Sequence, residues 1–149
     1  MKVLLQRAGP SSVTVDGATI GAIERGLVVL VCAEPGDRSE DAIFMARKVA
    51  LMRIFPDDDG KMNRSVLDED GAVLAISQFT LAAEWRKGNR PGFSKAAHPD
   101  IAKPLFDRFC AALRDEGLTV ETGSFGADMK VSLLNDGPVT IWMDSRNPI

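Results

Sequence analysis

The sequence predicts a single α+β domain spanning residues 1–149, built on a mixed, barrel-like, antiparallel-rich β-sheet with two main helices. Three observations lead to this class: strand-like apolar runs stand at both ends of the chain, two helical patterns lie between them, and no repeat is present. With 149 residues, of which 45% are hydrophobic and 26% charged, the chain has the size and composition of one globular domain with its own core.

The N-terminal third is predicted to be a sheet. Residues 2–8 form an apolar first strand, and the residues after them alternate around Asp16-Gly17, a pair typical of a hairpin turn. The segment "GLVVLVCAE", residues 26–34, is apolar without alternation, which favours a strand buried on both faces.

Two helical patterns follow. Asp37, with Glu40 three residues later, is typical of a helix start, and the predicted helix runs to about Arg53. Its apolar side is predicted to contain Ile43, Ala46, Ala50 and Ile54. A second helix is predicted over about residues 99–116, where apolar residues recur at helical spacing.

Strands are predicted between and after the helices. The turn "PDDDGKMN" precedes a buried strand at residues 72–83, which leads into a long polar loop at residues 84–99. Further strands are predicted near residues 118–122, 128–135 and 138–143.

Composition argues against several classes of function. His98 is the only histidine, and Cys32 and Cys110 are far apart, so neither a metal site nor a cofactor motif is predicted. No apolar run is long enough to cross a bilayer or to act as a secretory signal, so we expect a cytoplasmic protein with reduced cysteines and no membrane partner. The formal charge of -3 gives no general attraction to nucleic acid, and no DNA partner is expected.

The long polar loop nevertheless carries a local basic patch. It consists of Arg86, Lys87, Arg90 and Lys95. Because the chain as a whole is slightly acidic, any contact with RNA is predicted to use this patch.

Two polar segments interrupt apolar strands. "SQFTL", residues 77–81, ends a strand where the long loop begins, which is a position where binding groups are often presented. "NDGPVT", residues 135–140, falls in the middle of an otherwise apolar strand. Taken alone, the first is typical of a strand reaching the surface, and the second of a turn between antiparallel strands.

Together, the two segments resemble the signature motifs of the D-aminoacyl-tRNA deacylase family, also called D-tyrosyl-tRNA deacylases. The blocks "RPGFSKAAHPD" and "GADMKVSLLNDGPVT" are also similar to family blocks, in family order, so the resemblance covers nearly the whole chain. It implies a homodimeric editing hydrolase that cleaves the ester of D-aminoacyl-tRNA. It also implies cleavage of glycyl-tRNA on a non-cognate tRNA such as that for alanine.

The resemblance implies a chirality filter made of main chain. Gly137 and Pro138, joined by a cis peptide bond, would reach across the dimer interface into the partner's pocket. Their carbonyl oxygens would occupy the space of an L side chain, so that L residues collide while D residues and glycine enter. Arg7 would hold this turn in its orientation.

The resemblance also implies a catalytic segment and a binding site for tRNA. The backbone amides near Phe79 and Thr80 would bind the scissile carbonyl, and Ser77 and Gln78 would organise the pocket. The ribose 2′-OH of the tRNA would assist the attacking water, which removes the need for a general base on the protein. Phe125 and Met129 would pack around the terminal adenosine, and the tRNA contacts would come from Arg86, Lys87, Arg90 and Lys95.

Two alternatives remain open from the sequence. One is a conventional esterase with Thr80 or Ser77 as nucleophile and His98 as its base, and the other is a non-catalytic RNA-binding module. Trp85 and Pro10 fall in stretches that the family leaves variable, so the contact with tRNA is expected to differ there. A related branch of the family edits L-alanine mischarged on threonine tRNA, but Phe79 together with "NDGPVT" favours the chirality-selective branch.

Overall fold

A computed structural model describes residues 1–148 of the chain. The helices are α1 (Ser39–Leu51) and α2 (Pro99–Asp115), and a short 3₁₀ helix spans Phe79–Ala82. The strands are β1 (Lys2–Ala8), β2 (Ser11–Val15), β3 (Ala18–Ile23), β4 (Gly26–Cys32), β5 (Phe55–Pro56), β6 (Met62–Arg64), β7 (Ala72–Ser77), β8 (Thr119–Thr122), β9 (Lys130–Ser132) and β10 (Asn135–Asp144).

The strands form two sheets and a small hairpin. The larger sheet has the order β10-β1-β4-β7-β8, in which β1 is antiparallel to both neighbours while β4, β7 and β8 run parallel. The smaller sheet has the order β3-β2-β9 and is antiparallel, as is the β5-β6 hairpin. The predicted class is therefore confirmed: two helices and a mixed, antiparallel-rich, barrel-like set of strands.

The larger sheet is covered on both faces, which explains why β4 is apolar without alternation. Leu27 and Val29 join a core cluster with α1 and α2, whereas Val28 joins a second cluster with β2 and β3. β7 alternates in the same way, with Val73 facing the helices and Leu74 facing the smaller sheet. The apolar side chains on the two faces of β4 and β7 therefore pack into two different core clusters.

The start of α1 differs from the prediction. Its N-cap is Arg38, whose backbone N–H donates to the Asp41 carboxylate at 2.8 Å. Asp37 lies just before the helix and instead accepts hydrogen bonds from the Glu34 backbone N–H at 2.7 Å and from the Met1 amino group at 2.8 Å. The capping pattern therefore predicted the start of the helix correctly, but the carboxylate that accepts the N-cap hydrogen bond belongs to Asp41 and not to Asp37.

The apolar side of α1 was also predicted in part wrongly. Ile43 is 39% exposed, and the buried positions of the helix are Ala42, Met45, Ala46, Val49 and Ala50. Ile54 is buried but lies beyond the helix, which ends at Leu51. The small alanines allow α1 to pack closely, so the buried stripe is less hydrophobic in sequence than the exposed edge beside it.

Two predicted strand boundaries are corrected. The strand expected at residues 72–83 ends at Ser77, after which the chain turns into the 3₁₀ helix. The strands expected at residues 128–135 and 138–143 are instead β9, of three residues, and β10, which begins at Asn135 and continues past the Gly-Pro pair. Pairing with β1 resumes after that pair, so the interruption lies inside one strand.

Both cysteines are free and buried, as predicted. Within residues 1–148, no helix has the length and apolar character required to span a membrane.

Candidate functional site

A cavity of about 590 Å³ lies where the carboxyl ends of β4 and β7 meet. Parallel neighbours end at the same edge of a sheet, so the chain leaves both strands beside this cavity. Its walls come from these strand ends, from the start of α2 and from residues 125–131. Four aromatic rings line it: Phe79, Phe93, Phe106 and Phe125. Such a cavity suits a planar, largely apolar ligand group.

Residues 77–79 line the cavity, and Thr80, which follows them, is exposed and is not among the lining residues. Ser77 ends β7, and the Gln78 backbone N–H donates to the Val31 carbonyl oxygen at 2.8 Å, which fixes the turn against β4. The backbone N–H groups of Phe79 and Thr80 begin the 3₁₀ helix, so they have no acceptor within its turns. Ser77, Gln78 and Phe79 line the cavity directly.

Thr80 is held by its neighbour. The Gln78 side-chain amide Nε2 donates a hydrogen bond to Thr80 Oγ1. An amide N–H does not accept the hydroxyl proton, so this contact orients the hydroxyl without activating it as a nucleophile.

Phe79 and Phe93 form an aromatic pair at the mouth of the cavity. Their ring centroids lie 5.1 Å apart at an interplanar angle of 79°, an edge-to-face arrangement. Phe93 comes from the long loop, so this pair joins the loop to residues 77–79. No role was predicted for Phe93 from the sequence, although the block that contains it is among those that resemble the family.

Phe125 and Met129 lie on the opposite wall. Phe125 is tilted against Phe106 of α2, with the ring centroids 6.5 Å apart. Met129 packs on Gly123, where an added Cβ would lie 2.4 Å from its sulfur atom. The absence of a side chain at Gly123 thus makes room for the thioether beside the cavity.

His98 and Cys32 also line the cavity. His98 caps α2: its Nδ1 accepts the Asp100 backbone N–H at 3.3 Å and lies 3.3 Å from the Asp100 carboxylate. Burial, with a further contribution from Glu34, raises the pKa of the Cys32 thiol to about 11. The thiol lies 3.6 Å from the Phe79 carbonyl oxygen and remains protonated at neutral pH.

The Gly137–Pro138 segment does not contribute to the lining of this cavity. Gly137 and Pro138 are exposed, and neither they nor Arg7 line it within residues 1–148. The peptide bond between Gly137 and Pro138 is cis, with Gly137 at φ +126°. Arg7 contacts the segment directly, because its Nε donates to the Asp136 carbonyl oxygen at 3.1 Å.

The basic patch surrounds a second cavity of about 720 Å³. Its walls include Arg86, Lys87, Arg90 and Lys95, together with Trp85, which is 72% exposed. Two backbone hydrogen bonds, of 2.8 and 2.9 Å, join Glu84 to Gly92 and close the loop at its base. Lys95 pairs with the Glu84 carboxylate at 2.5 Å, and this contact lowers the pKa of Glu84.

Metal binding has no basis in the described part of the chain. Among residues 1–148, no group of three or more histidine, cysteine, aspartate or glutamate side chains is arranged to hold a metal ion.

These features define an α+β protein with an aromatic cavity at the carboxyl ends of parallel strands and a rim of free backbone amides. A family model described as "D-Tyr-tRNA(Tyr) deacylase" matches residues 4–144. The chain belongs to that family, and the resemblance recognised from its sequence motifs is confirmed.

Relatives that match nearly the whole chain agree with this assignment. A D-aminoacyl-tRNA deacylase of Ruegeria sp. (strain TM1040) is 61% identical over 145 residues, covering 97% of this chain and 93% of the relative. One of Thermus aquaticus is 55% identical over 145 residues, covering 97% and 95%.

Among solved structures, one described as "c-Myc DNA Unwinding Element Binding Protein" has a TM-score of 0.90 and 39% identity, covering 97% of this chain and 98% of that one. Another, described as a probable eukaryotic D-amino acid tRNA deacylase, has a TM-score of 0.78 over 95% and 97% of the two chains. At 20% identity, this second likeness concerns the fold alone.

Proposed function

We propose that this chain hydrolyses the ester bond of D-aminoacyl-tRNA and releases the free D-amino acid and tRNA. Membership of the deacylase family and relatives at 54–61% identity over nearly the full chain support this activity. The observation that carries the proposal is the position of residues 77–79, which line an aromatic cavity of about 590 Å³ at the point where the 3₁₀ helix begins.

The proposed chemistry uses the main chain of segment 77–80. Water attacks the ester carbonyl, and the negative charge that develops on its oxygen is stabilised by the backbone N–H groups of Phe79 and Thr80. Ser77 and Gln78 organise the rim, and the Gln78 amide holds the Thr80 side chain. The bond between the carbonyl carbon and the ribose oxygen then breaks, and that oxygen takes up a proton.

The attacking water is proposed to be assisted by the substrate. The 2′-OH of the terminal ribose lies next to the ester and can position the water and relay a proton. This role fits the surroundings of the cavity, where His98 Nδ1 is already used in capping α2 and the Cys32 thiol stays protonated. The terminal adenine is proposed to lie between Phe125 and Met129.

Stereochemical selection is proposed to come from a second copy of the chain. The Gly137–Pro138 segment is exposed and does not line the cavity of its own chain, which supports a role toward the cavity of a partner. It belongs to β10, an edge strand of the larger sheet that carries the half-exposed Trp142. An apolar edge strand is a natural dimer contact. In the homodimer, the main-chain carbonyls of the partner's segment exclude L side chains by collision, while D-aminoacyl groups and glycine are accepted.

The tRNA is proposed to contact the basic loop. Arg86, Lys87 and Arg90 are exposed and border the second cavity, which suits phosphate groups. Lys95 is partly neutralised by Glu84, and Trp85 offers an exposed ring on which an unpaired base can stack. The Phe79–Phe93 contact connects this loop to the catalytic rim.

A deacylation assay on purified protein tests the proposal. Matched tRNAs carrying the D or L form of one amino acid, and glycyl-tRNA, are compared for release of the amino acid. We expect hydrolysis of the D and glycyl substrates with the L substrate left intact. Equal hydrolysis of D and L substrates would contradict the stereochemical filter, and no hydrolysis of any substrate would leave only an RNA-binding role.

The variant His98→Ala separates the proposed chemistry from that of a conventional esterase. Substrate-assisted hydrolysis leaves most of the activity in place, because His98 Nδ1 serves in capping α2. An esterase that uses this histidine as its base would lose activity by about 100-fold or more. Asp100→Ala, which keeps the ring but removes its neighbouring carboxylate, serves as the control for a local effect on the start of α2.

A further inference from the structure

The Gly137–Pro138 segment forms a bulge whose path is not fixed by the ladder hydrogen bonds between β1 and β10. In the β1-β10 ladder, Gln6 pairs with Thr140 and Ala8 pairs with Asn135. One residue of β1, Arg7, therefore stands opposite the four residues 136–139. An insertion of this size leaves main-chain groups without ladder partners, so other groups must fix its path.

The Asn135 side chain supplies contacts at both ends of this bulge. Its Nδ2 donates to the Arg7 carbonyl oxygen and to the Val139 carbonyl oxygen, both at 3.0 Å. The first acceptor lies on the neighbouring strand and the second where the bulge ends. One planar amide thus ties the start of the bulge to its end and to β1.

The other side of the same amide is also held. Asn135 Oδ1 accepts the Thr140 hydroxyl at 3.3 Å, and Thr140 Oγ1 in turn accepts Gln6 Nε2 at 3.1 Å. The amide plane is therefore fixed by donors and acceptors on opposite sides, which no other side chain of similar size provides. An aspartate would keep the shape but would lose both N–H donors and direct a negative charge at two carbonyl oxygens.

Arg7 alone does not determine the path of the bulge. Its guanidinium donates to the Asp136 carbonyl oxygen at 3.1 Å and to the Ile54 carbonyl oxygen at 2.8 Å, so it anchors the entry side. The exit, at Val139, is bonded by Asn135 instead. Arg7 therefore fixes the start of the bulge, and Asn135 fixes its end.

We infer that Asn135 is a positioning residue for stereochemical selection. It holds the Gly137–Pro138 carbonyls at the depth and direction needed to exclude an L side chain from the partner's cavity. This inference rests on the proposed function, because it gives the segment that task. It adds that selectivity depends on an amide that contacts neither substrate nor cavity, since Asn135 does not line it within residues 1–148.

The test is the ratio of D to L deacylation rates in three variants. We expect Asn135→Asp to lower the ratio by about tenfold or more, mainly through a gain of L hydrolysis, because two hydrogen bonds are lost. Thr140→Val, which frees Oδ1 but keeps both donors, should lower it by about two- to fivefold. The matched control is Asn63→Asp, which removes an exposed amide hydrogen bond in the β5-β6 hairpin and should leave the ratio unchanged.

The ratio distinguishes positioning from general stability, because a merely unstable protein loses both rates together. A folded Asn135→Asp protein with the wild-type ratio would overturn the inference. If that variant does not fold, an unchanged ratio in Thr140→Val would overturn it instead. A wild-type ratio near one would overturn the proposed filter and this inference together, whereas a high wild-type ratio that neither variant alters would overturn the inference alone.

Discussion

At the scale of single residues, the hydrogen bonding of Thr80 bears on whether its hydroxyl is the nucleophile in the proposed catalytic segment. Its only side-chain partner in the described structure is the Gln78 amide, which donates to it. An efficient hydroxyl nucleophile needs a group that accepts its proton.

We therefore predict that Thr80→Ala retains measurable deacylase activity, within about tenfold of wild type. The substitution keeps the backbone N–H at position 80, which is the group proposed to bind the carbonyl oxygen. Single-turnover rates on D-aminoacyl-tRNA check this. Complete loss of activity, with folding and tRNA binding intact, would make Thr80 the nucleophile.

Asp37 contributes to the stability of the fold and lies outside the candidate site. Its carboxylate accepts hydrogen bonds from the Met1 amino group at 2.8 Å and from Arg146 at 2.8 Å, in a nearly buried site. Burial raises the pKa of Asp37, but the hydrogen bonds from Met1 and Glu34 and the charge of Arg146 outweigh it, so the pKa lies below its usual 3.8.

We predict that Asp37→Asn lowers the free energy of unfolding by about 3 kcal/mol near neutral pH. A depressed carboxyl pKa stabilises the fold fully above the unfolded-state value, and this contribution is lost as pH falls through the lower folded value. The difference in free energy of unfolding between wild type and Asp37→Asn should thus become smaller below about pH 4. Urea denaturation from pH 2 to 7 measures it, and a gap that does not depend on pH would contradict the assignment.

At the scale of elements, close approach of backbones decides where glycine is required. Gly26 begins β4 with φ +145°, and an added Cβ would lie 1.8 Å from the Ala72 carbonyl oxygen at the start of β7. Gly60, in the β5-β6 turn, also has a positive φ of +78°, but nothing lies within 4 Å of its added Cβ.

We predict that Gly26→Ala destabilises the protein by at least about 3 kcal/mol, because both strands must separate at their first residues. The matched variant Gly60→Ala should cost only about 1 kcal/mol, the price of the left-handed conformation alone. Thermal or urea unfolding compares them. Similar losses in the two variants would show that the contact with Ala72 is not decisive.

The elements also show what the sequence could predict. Asp16-Gly17 gave the β2-β3 hairpin correctly, because both residues adopt the positive φ that this turn requires. The apolar run of β4 correctly indicated a strand covered on both faces. The side of α1 was predicted less well, because alanines fill its buried stripe while Phe44 and Leu51 remain exposed. Apolar pattern alone does not show which face a neighbour will cover.

The residues of the candidate site also differ in how far the sequence alone predicts their positions. For Ser77, Gln78 and Phe79, the order at a strand end indicated only a strand reaching the surface, and a site was predicted there from the resemblance of the two motifs to the family. Phe93 reaches the cavity only through the folding of a long loop, and the links from Asn135 to Arg7 and Thr140 depend on the register between β1 and β10. Contacts set by tertiary register leave no local pattern in the sequence.

At the scale of the whole molecule, the distribution of charge bears on the proposed contact with tRNA. The chain has a net charge of -3, yet one loop concentrates four cations around a cavity. Arg90 is exposed there, whereas Lys95 is already paired with Glu84.

We predict that Arg90→Ala weakens tRNA binding and lowers the slope of log K against log salt by about 0.7 to 0.9. Lys95→Ala should have a smaller effect, because its charge is partly neutralised before tRNA binds. Lys61→Ala, in the β5-β6 turn, is the control for loss of one positive charge elsewhere. Binding titrations at several salt concentrations test this ranking, and equal slopes for all three variants would refute a role for the loop.

The assembly is the largest-scale feature of the proposal, since the selecting segment does not line the cavity of its own chain. One variant that alters the segment and another that alters the cavity allow the two roles to be tested separately. In Gly137→Ala, the added Cβ would lie 2.9 Å from Arg7 Nη2 at a φ of +126°, so the segment must move and should admit L substrates. Phe79→Pro removes one proposed oxyanion donor and one wall of the cavity, so it should abolish activity while leaving its own Gly137–Pro138 segment intact.

Mixed dimers of these two variants give the decisive prediction. If the segment acts on the partner's cavity, each active cavity in a mixed dimer faces an intact segment, so L hydrolysis should fall toward the wild-type level as Phe79→Pro chains are added in excess. If the segment acts on its own chain, L hydrolysis per Gly137→Ala chain stays constant. Subunits are mixed by co-expression, and light scattering verifies that dimers form. Since the two outcomes differ in direction rather than in size, the measurement does not depend on how strongly either single variant is impaired.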